Sequence, residues 1–548
     1  MDIRAPLRPS KSLYTIDVVE SRSGRPVPVV NGKTLHSRYD PEAEARRWVQ
    51  EKLALKPNAQ VAVILGMGFA YHIRALREAL PAGAPIVVFE PVTELVTTYA
   101  AKVKQSIDNV RLWPNPRPQD VVDAVAEVLT PTRINDILIA GHPPSVELDP
   151  ASYQTILAQI HATVDQIAMS LTTGWGFGFE WIENALRNAP RLPDLPFLNQ
   201  IAPALRAAPP AALVIGAGPS LDNSWEIVQR AEVLKLAVDT ALEPMQTHGV
   251  VPHLAFLLDS QYENSRLVER IDAGAQNLAV SLDVHPSVFE RRWRNLLVAS
   301  CDQGLLSWLE RRGQFQAGSL KQGGSVATSA FDLARQAGCS PIYFTGIDLS
   351  FSAHRIYCRG VAYERRAAEA QYRFEPVEHK MYRMKQERTE RVVSGRATQD
   401  NLYNYYRWFK DEIGRTAQPT VLLHSTGLLA EFLPTDGATR MPAERFPTGF
   451  DERMFHSKLP VNGRVTNPWI REALSDFRRN LEKFLAPGNF SSADQLDEAL
   501  AASDIRDVIE SVVQPVVAVS RYGGEQGGLE RTILTELRDR LGGLVRVP

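Results

Sequence analysis

VIGAGPSLD, Val214 to Asp222, is an apolar run broken by two glycines and followed by a Pro-Ser pair that can start a helix. Apolar strand, glycine turn and helix start, in that order, open a β-α unit. Working outward, short apolar runs recur at Leu213–Gly216, Leu234–Val238, Leu254–Leu258, Leu278–Ser281, Leu296–Ala299, Ile342–Thr345 and Val421–Leu423, separated by helical patterns. Continuous apolar runs of strand length belong to strands covered on both faces, so the pattern predicts a parallel, doubly wound sheet. The loop itself departs from a dinucleotide fingerprint, because Pro219 and Leu221 stand where the pattern would run on to a third glycine. Pro219 fixes φ and removes one donor, while Ser220 adds a hydroxyl. That combination suits one nucleotide phosphate better than a pyrophosphate, and the plainer reading, a Pro-Ser pair that only starts a helix, stands beside it.

A second module precedes it. VAVIL (61–65), Gly66-Met67-Gly68, a helical stretch and IVVFE (86–90) form another β-turn-α-β pattern. Gly66 lies 24 positions before Glu90 and Gly216 lies 23 before Asp239. Each module therefore ends its second strand on an acid, where a ribose hydroxyl would be met. An apolar run at Ile137–Ala140 and a helical pattern near Tyr153–Leu171 extend the first domain, and the Pro-rich stretch 187–211 reads as a linker. Between Ser350 and Arg396 the chain is strongly charged, an excursion over the active face; from Asn467 onward long amphipathic patterns predict helices. The expected architecture is α/β: a Rossmann-like N-terminal domain (1–190), a central doubly wound domain (191–440) and a helical C-terminal domain (441–548).

Composition narrows the function. The 548 residues carry 61 basic against 63 acidic side chains, so no global field gathers nucleic acid or an anionic membrane. Cys301, Cys339 and Cys358 are too few for a disulfide framework and lack metal-ligand spacing, which fits a reducing compartment. No stretch approaches the roughly 18 apolar residues of a membrane span, and the first residues lack a signal-peptide core. The expectation is a soluble cytoplasmic protein with no nucleic-acid partner, no membrane insertion and no metal site. Self-association into a homo-oligomer is left open.

Ligands of open parallel sheets bind at the carboxyl ends of the strands. Gly216, Asp239, Asp259, Asp283, Gly324 and Asp348 all fall at or just after such ends. Gly323-Gly324-Ser325 also precedes an amphipathic helix with Val326, Ala330, Leu333, Ala334 and Ala337 at helical spacing, an anion-friendly corner.

The ordered set GAGPSLD (216–222), AVDTAL…HGVVPHLAFLLDS (237–260), GGSVATSAFDLARQAGC (323–339) and FTGIDLSF (344–351) resembles the Maf, or motility accessory factor, glycosyltransferases. ILGMGFAYHIRAL…IVVFEP (64–91), WGFGFEWIENALRNAPRLPDLP (175–196) and VVSGRATQDNLYNYYRWF (392–409) extend the likeness over roughly residues 60 to 435. The resemblance implies transfer of a nonulosonic acid, of the pseudaminic or legionaminic type, from a CMP-activated donor to Ser or Thr of flagellin, in support of flagellar assembly and motility. It implies a central domain similar to bacterial sialyltransferases and to 6-hydroxymethylpterin diphosphokinase-like proteins. No cofactor is obligatory on this reading; the CMP-sugar is a co-substrate. Carried over residue by residue, Gly216, Gly218, Pro219, Ser220 and Leu221 fall on the phosphate side. Asp239 and Thr240 fall near the ribose or base, with Asp259 beyond, and Gly324, Ser325 and Thr328 at the corner. Gly346, Ile347 and Asp348 lie near the nucleotide. Apart from the carried-over positions, Tyr357 or Tyr343 would serve as a donor to the leaving phosphate. The sialyltransferases use a histidine base after the Gly-Ile-Asp strand end; here His354 and His379 lie at other spacings. The base is therefore sought among Asp239, Asp259, Asp348, His354 and His379. Asp239, Asp259 and Asp348 would hold Mg²⁺ if the substrate were a triphosphate. Two alternatives remain: an ATP- and Mg²⁺-dependent 6-hydroxymethylpterin diphosphokinase-like enzyme, and a non-catalytic flagellin-binding factor. The N-terminal loop Gly66–Tyr71 resembles a methyl-donor turn with Glu90 in the ribose position, and is read as shared architecture.

Overall fold

The computed structural model describes residues 1–4, 6–7, 14–103, 107–129, 131–301, 304–352, 354–424, 427–433, 463–522 and 527–547. The chain divides into two compact units, one of residues 1–176, 490–499 and 511–537, the other of residues 177–489, 500–510 and 538–548.

In the first unit the strands are β1 (Asp2–Ile3), β2 (Ile16–Glu20), β3 (Pro26–Val30), β4 (Lys33–Thr34), β5 (Val61–Leu65), β6 (Ile86–Glu90), β7 (Val110–Pro114) and β8 (Ile137–Gly141). They build a parallel sheet in the order β1-β7-β6-β5-β8, beside a small antiparallel sheet β2-β3-β4. β5 shows why an unbroken apolar run is needed. Val61, Val63 and Leu65 pack with Tyr153, Ile156 and Ile160 on one face, while Ala62 and Ile64 pack with Trp48, Ile73 and Leu76 on the other. Each such aliphatic side chain withdrawn from water stabilises the fold by about 1.5–3 kcal/mol.

In the second unit the sheet contains β9 (Ala212–Ile215), β10 (Leu234–Val238), β11 (Leu254–Leu257), β12 (Asn277–Val280), β13 (Asn295–Val298), β14 (Ile342–Thr345) and β17 (Thr420–Leu422); a hairpin β15 (Arg391–Val393) and β16 (Arg396–Thr398) stands apart from it. The order is β13-β12-β11-β10-β9-β14-β17, every pairing parallel. All seven apolar runs read from the sequence are strands of this one doubly wound sheet. The chain moves outward from β9 through β13, then returns to the other side of β9 as β14. Ala212–Ile215 thus pairs with Leu234–Ala237 on one edge and Ile342–Thr345 on the other, which makes the β9/β14 junction the point where the strand order reverses. From Asn467 on, the described residues are mainly helical, as Asn467–Phe484, Ala493–Ala501, Arg506–Tyr522 and Gly527–Leu544.

Two sequence expectations change. The stretch 187–211 is no free linker: Leu192, Phe197, Leu198 and Ile201 are buried, and Phe197 stacks on Phe315 at 5.3 Å. The chain after Gly218 does not enter a long helix; Pro219–Asn223 is a single 3₁₀ turn followed by the six-residue helix Trp225–Arg230. No helix among the described residues is long and apolar enough to cross a membrane.

Candidate functional site

At the β9/β14 junction the two loops lie against each other with no room for a side chain. A Cβ on Gly216 would come within 2.3 Å of the Gly346 carbonyl oxygen, and one on Gly218 within 2.2 Å of an Asp348 carboxylate oxygen. Gly216 and Gly218 donate their N–H groups to the Thr345 and Gly346 carbonyls, at 2.9 and 2.7 Å. Ser220 donates from both its backbone N–H and its hydroxyl to Asp348 Oδ2, at 3.0 and 2.9 Å. Leu221 and Ile347 are buried beneath, and Pro219 opens the 3₁₀ turn. The donors that the sequence placed on a phosphate are thus bonded to the facing loop. Asp348 closes the junction from inside, and its carboxylate is held by Ser220 instead of facing a substrate hydroxyl.

The next three strand ends carry acids. Asp239 follows β10, is 5% exposed, and accepts from the Thr240 N–H and hydroxyl at 2.6 and 3.0 Å, both on Oδ1. Burial pushes its carboxyl up to about 7 against those two bonds, and the Asp259 charge adds to the rise. Asp259 follows β11, is half-buried, and accepts from the Gln261 N–H at 3.1 Å. Asp283 follows β12; burial lifts it to about 6, with Asp259 again contributing. Three carboxylates converge on one edge of the sheet.

The end of the helix Pro150–Asn188 braces these loops. Asn184 donates to the Ser260 and Asp283 carbonyls at 3.2 and 3.1 Å, and Asn188 to the Leu282 and Val284 carbonyls at 2.9 and 2.7 Å. Glu180 lies one turn earlier; burial raises it, opposed by the Tyr262 N–H and His285. The i, i+4, i+8 spacing of Glu180, Asn184 and Asn188 is visible in the sequence, yet nothing there says what that face meets.

Aromatic and basic groups come from the charged excursion and the following helix. Tyr357 is hydrogen-bonded to Arg388 and lies near Asp239; burial raises its phenol while Arg388 opposes the rise. Tyr357 stacks on Tyr363 at 5.4 Å, with the Arg366 guanidinium over the Tyr363 ring. Tyr405, raised by burial and by Asp259, packs on the corner: a Cβ on Gly324 would meet its ring at 2.6 Å, and one on Gly323 would meet Trp408 at 2.5 Å. Ser325 caps the helix Val326–Gln336, and the Thr328 hydroxyl accepts from the Gly323 N–H at 2.8 Å. The excursion forms two helices, Ala362–Glu369 and Val377–Arg388, tied down by the Arg365 fork on Glu243 (2.8–3.2 Å), by Arg366 on Glu263 and by the Arg359 N–H on Asp222. His354 and His379 are both exposed. Among the sequence candidates the structure thus brings together Asp239, Thr240, Asp259, Gly324, Ser325 and Tyr357; Glu180, His285, Tyr363, Arg388 and Tyr405 join them unforeseen, since each becomes a neighbour only through the sheet and the excursion.

The comparisons agree with this architecture. Residues 183–354 match the family model "6-hydroxymethylpterin diphosphokinase MptE-like". A stretch of 141 residues is 32% identical to an uncharacterized protein of Treponema pallidum (strain Nichols), covering 24% of this chain and 36% of that protein. The match thus spans about a third of the length of that curated relative. The structure of a Maf glycosyltransferase from Magnetospirillum magneticum AMB-1 superposes over 98% of this chain and 91% of its own, with a TM-score of 0.57 at 12% identity. The likeness read from the motifs therefore holds as fold: a Maf-like α/β chain with an MptE-like central domain.

Proposed function

We propose that the chain is a glycosyltransferase, and that it moves a nonulosonic acid from a CMP-activated donor to Ser or Thr of flagellin. The Maf-like fold along nearly the whole chain supports the reaction class. The observation that carries the site assignment is Asp239, a buried carboxyl poised near pH 7 at a strand end, with a tyrosine–arginine pair beside it. A general base works best when its pKa lies near the operating pH. On this reading ionised Asp239 takes the proton of the acceptor hydroxyl as that oxygen bonds to the anomeric carbon. The bond from that carbon to the donor phosphate oxygen breaks, its electron pair leaving with CMP. Charge grows on the departing phosphate, where Arg388 and the Tyr357 hydroxyl act as donors and the positive end of the helix Val326–Gln336 adds its dipole. Asp259 and Asp283 face the positive charge that develops on the sugar ring. Ser220 and Asp348 hold the nucleotide loop in shape and leave the chemistry to the neighbouring strand ends.

The MptE-like match and the convergence of three carboxylates favour a second reading, Mg²⁺-assisted diphosphoryl transfer from ATP. Calorimetry with CMP, and with ATP plus Mg²⁺, separates the two. Micromolar CMP binding without metal supports sugar transfer, binding of ATP only with Mg²⁺ supports the kinase, and binding of neither overturns both and leaves a flagellin-binding factor. Flagellin glycan mass in a strain carrying Asp239→Ala then tests the acceptor.

A further inference from the structure

The first unit has a strand-order reversal of its own, at β5/β8, and imidazoles occupy it. His36 follows β4, His72 sits in the first turn of the helix Tyr71–Ala79, and His142 follows β8. They are 36 and 70 positions apart in sequence, so no ligand spacing announces them. All three are buried, at 5%, 1% and 4% exposure, and one nitrogen from each lies within 4.8 Å of the others. Behind each ring stands a different polar group. His36 Nδ1 faces Glu44 at 3.7 Å, His72 Nε2 lies 3.0 Å from the Gly66 carbonyl, and His142 Nδ1 lies 2.8 Å from the Ser145 hydroxyl. A carboxylate, a carbonyl and a hydroxyl behind the rings form the outer shell that orients metal-bound histidines. The inward nitrogens are then His36 Nε2, which holds the Phe69 N–H at 2.8 Å, His142 Nε2, and His72 Nδ1, which is buried with no hydrogen-bond partner. A buried imidazole nitrogen left unpaired is costly unless something binds it.

We propose that His36, His72 and His142 bind a single divalent transition-metal ion, with zinc the best match to three neutral imidazoles. Zn–N bonds of about 2.0–2.1 Å need nitrogens roughly 3.4 Å apart. The ion therefore draws the three in by about an ångström, displaces the Phe69 N–H from His36, and swings apart the His72 and His142 rings, which stack at 4.3 Å. The glycine loop that looks like a nucleotide turn then serves as the wall of a metal site: a Cβ on Gly68 would fall 2.3 Å from His36 Nε2.

The test uses the full chain, stripped with chelator and titrated with Co²⁺ and Zn²⁺. The expected result is one equivalent bound, the d–d absorption of a low-coordinate, nitrogen-ligated Co²⁺ site, and displacement of Co²⁺ by Zn²⁺. His72→Gln, chosen to keep the ring volume partly filled, abolishes binding, and Glu44→Gln weakens it about tenfold or more through the outer shell. Circular dichroism reports whether each variant folds. A folded wild-type chain that binds neither ion overturns the proposal and makes the trio core packing. So does a one-equivalent signal that survives in folded His72→Gln.

Discussion

The two strand-order reversals read alike in sequence and are built in opposite ways. Both place two glycines after an apolar strand, and both reach an acid 23 or 24 residues later. In the first unit that acid is part of the loop. Glu90 is fully buried and accepts from the Met67 N–H (2.8 Å), the Val92 N–H (3.0 Å) and the Tyr153 hydroxyl (3.1 Å), so no oxygen is left facing a ribose. In the second unit the corresponding acid, Asp239, stays outside the loop, and the closing carboxylate is Asp348 from 128 residues beyond Ser220. In the first unit the following acid seals its own loop. In the second a distant acid does the sealing, and the following acid stays outside the seal, as the role proposed for it requires.

The sharpest way to break this contrast is to remove each acid in turn. Asp239→Asn is expected to fold normally and lose about 10²- to 10⁴-fold in transfer rate. Wild-type kcat/KM rises as pH passes about 7 and the carboxyl ionises, a limb the variant lacks. Glu90→Gln should leave transfer within a few-fold; equal loss in both would erase the distinction. In stability the two acids behave alike, since burial raises both to about 7, Asp239 from 3.8 and Glu90 from 4.5. Glu90 therefore holds its proton more tightly in the folded state than in the unfolded chain. Its contribution is full below pH 4.5 and is lost as pH rises through about 7, a change of about 3 kcal/mol. Thermal unfolding of Glu90→Gln across that window should lack this share of the slope. At the second loop, Gly218→Ala drives a methyl into Asp348 and should cost about 1–3 kcal/mol in denaturant unfolding. Gly83→Ala, whose Cβ meets nothing within 4 Å and whose φ is not positive, serves as the comparison. The smallest effect is expected for Arg365→Lys, which keeps charge on Glu243 and loses the fork. A double-mutant cycle with Glu243→Gln should return about 0.5–1 kcal/mol.

Much of the second unit is legible in the sequence. Its strands announce themselves because burial on both faces demands unbroken apolar runs, and a glycine pair after such a run marks a turn whatever it binds. The acids Asp239, Asp259 and Asp283 can be placed at one edge from strand order alone. Ser220 cannot be read correctly that way, since its partner Asp348 is adjacent only once β14 pairs with β9. The same holds for Tyr405 and Glu180, which come near Asp259, and for Arg388, which meets Tyr357; their own sequence shows only polarity or helical period. The histidine trio is the extreme case: three residues with no mutual spacing become neighbours because β5 and β8 pair in register, Leu65 beside Gly141, and because His36, from beyond β4, takes the Phe69 N–H of the loop after β5. Local pattern, set by which faces must leave water, determined by itself the sheet, its strand ends and the acids that stand there. The tertiary pairing alone decided which of those polar groups is bonded shut and which is left to act, because a hydrogen-bond partner is chosen by distance in space and not along the chain.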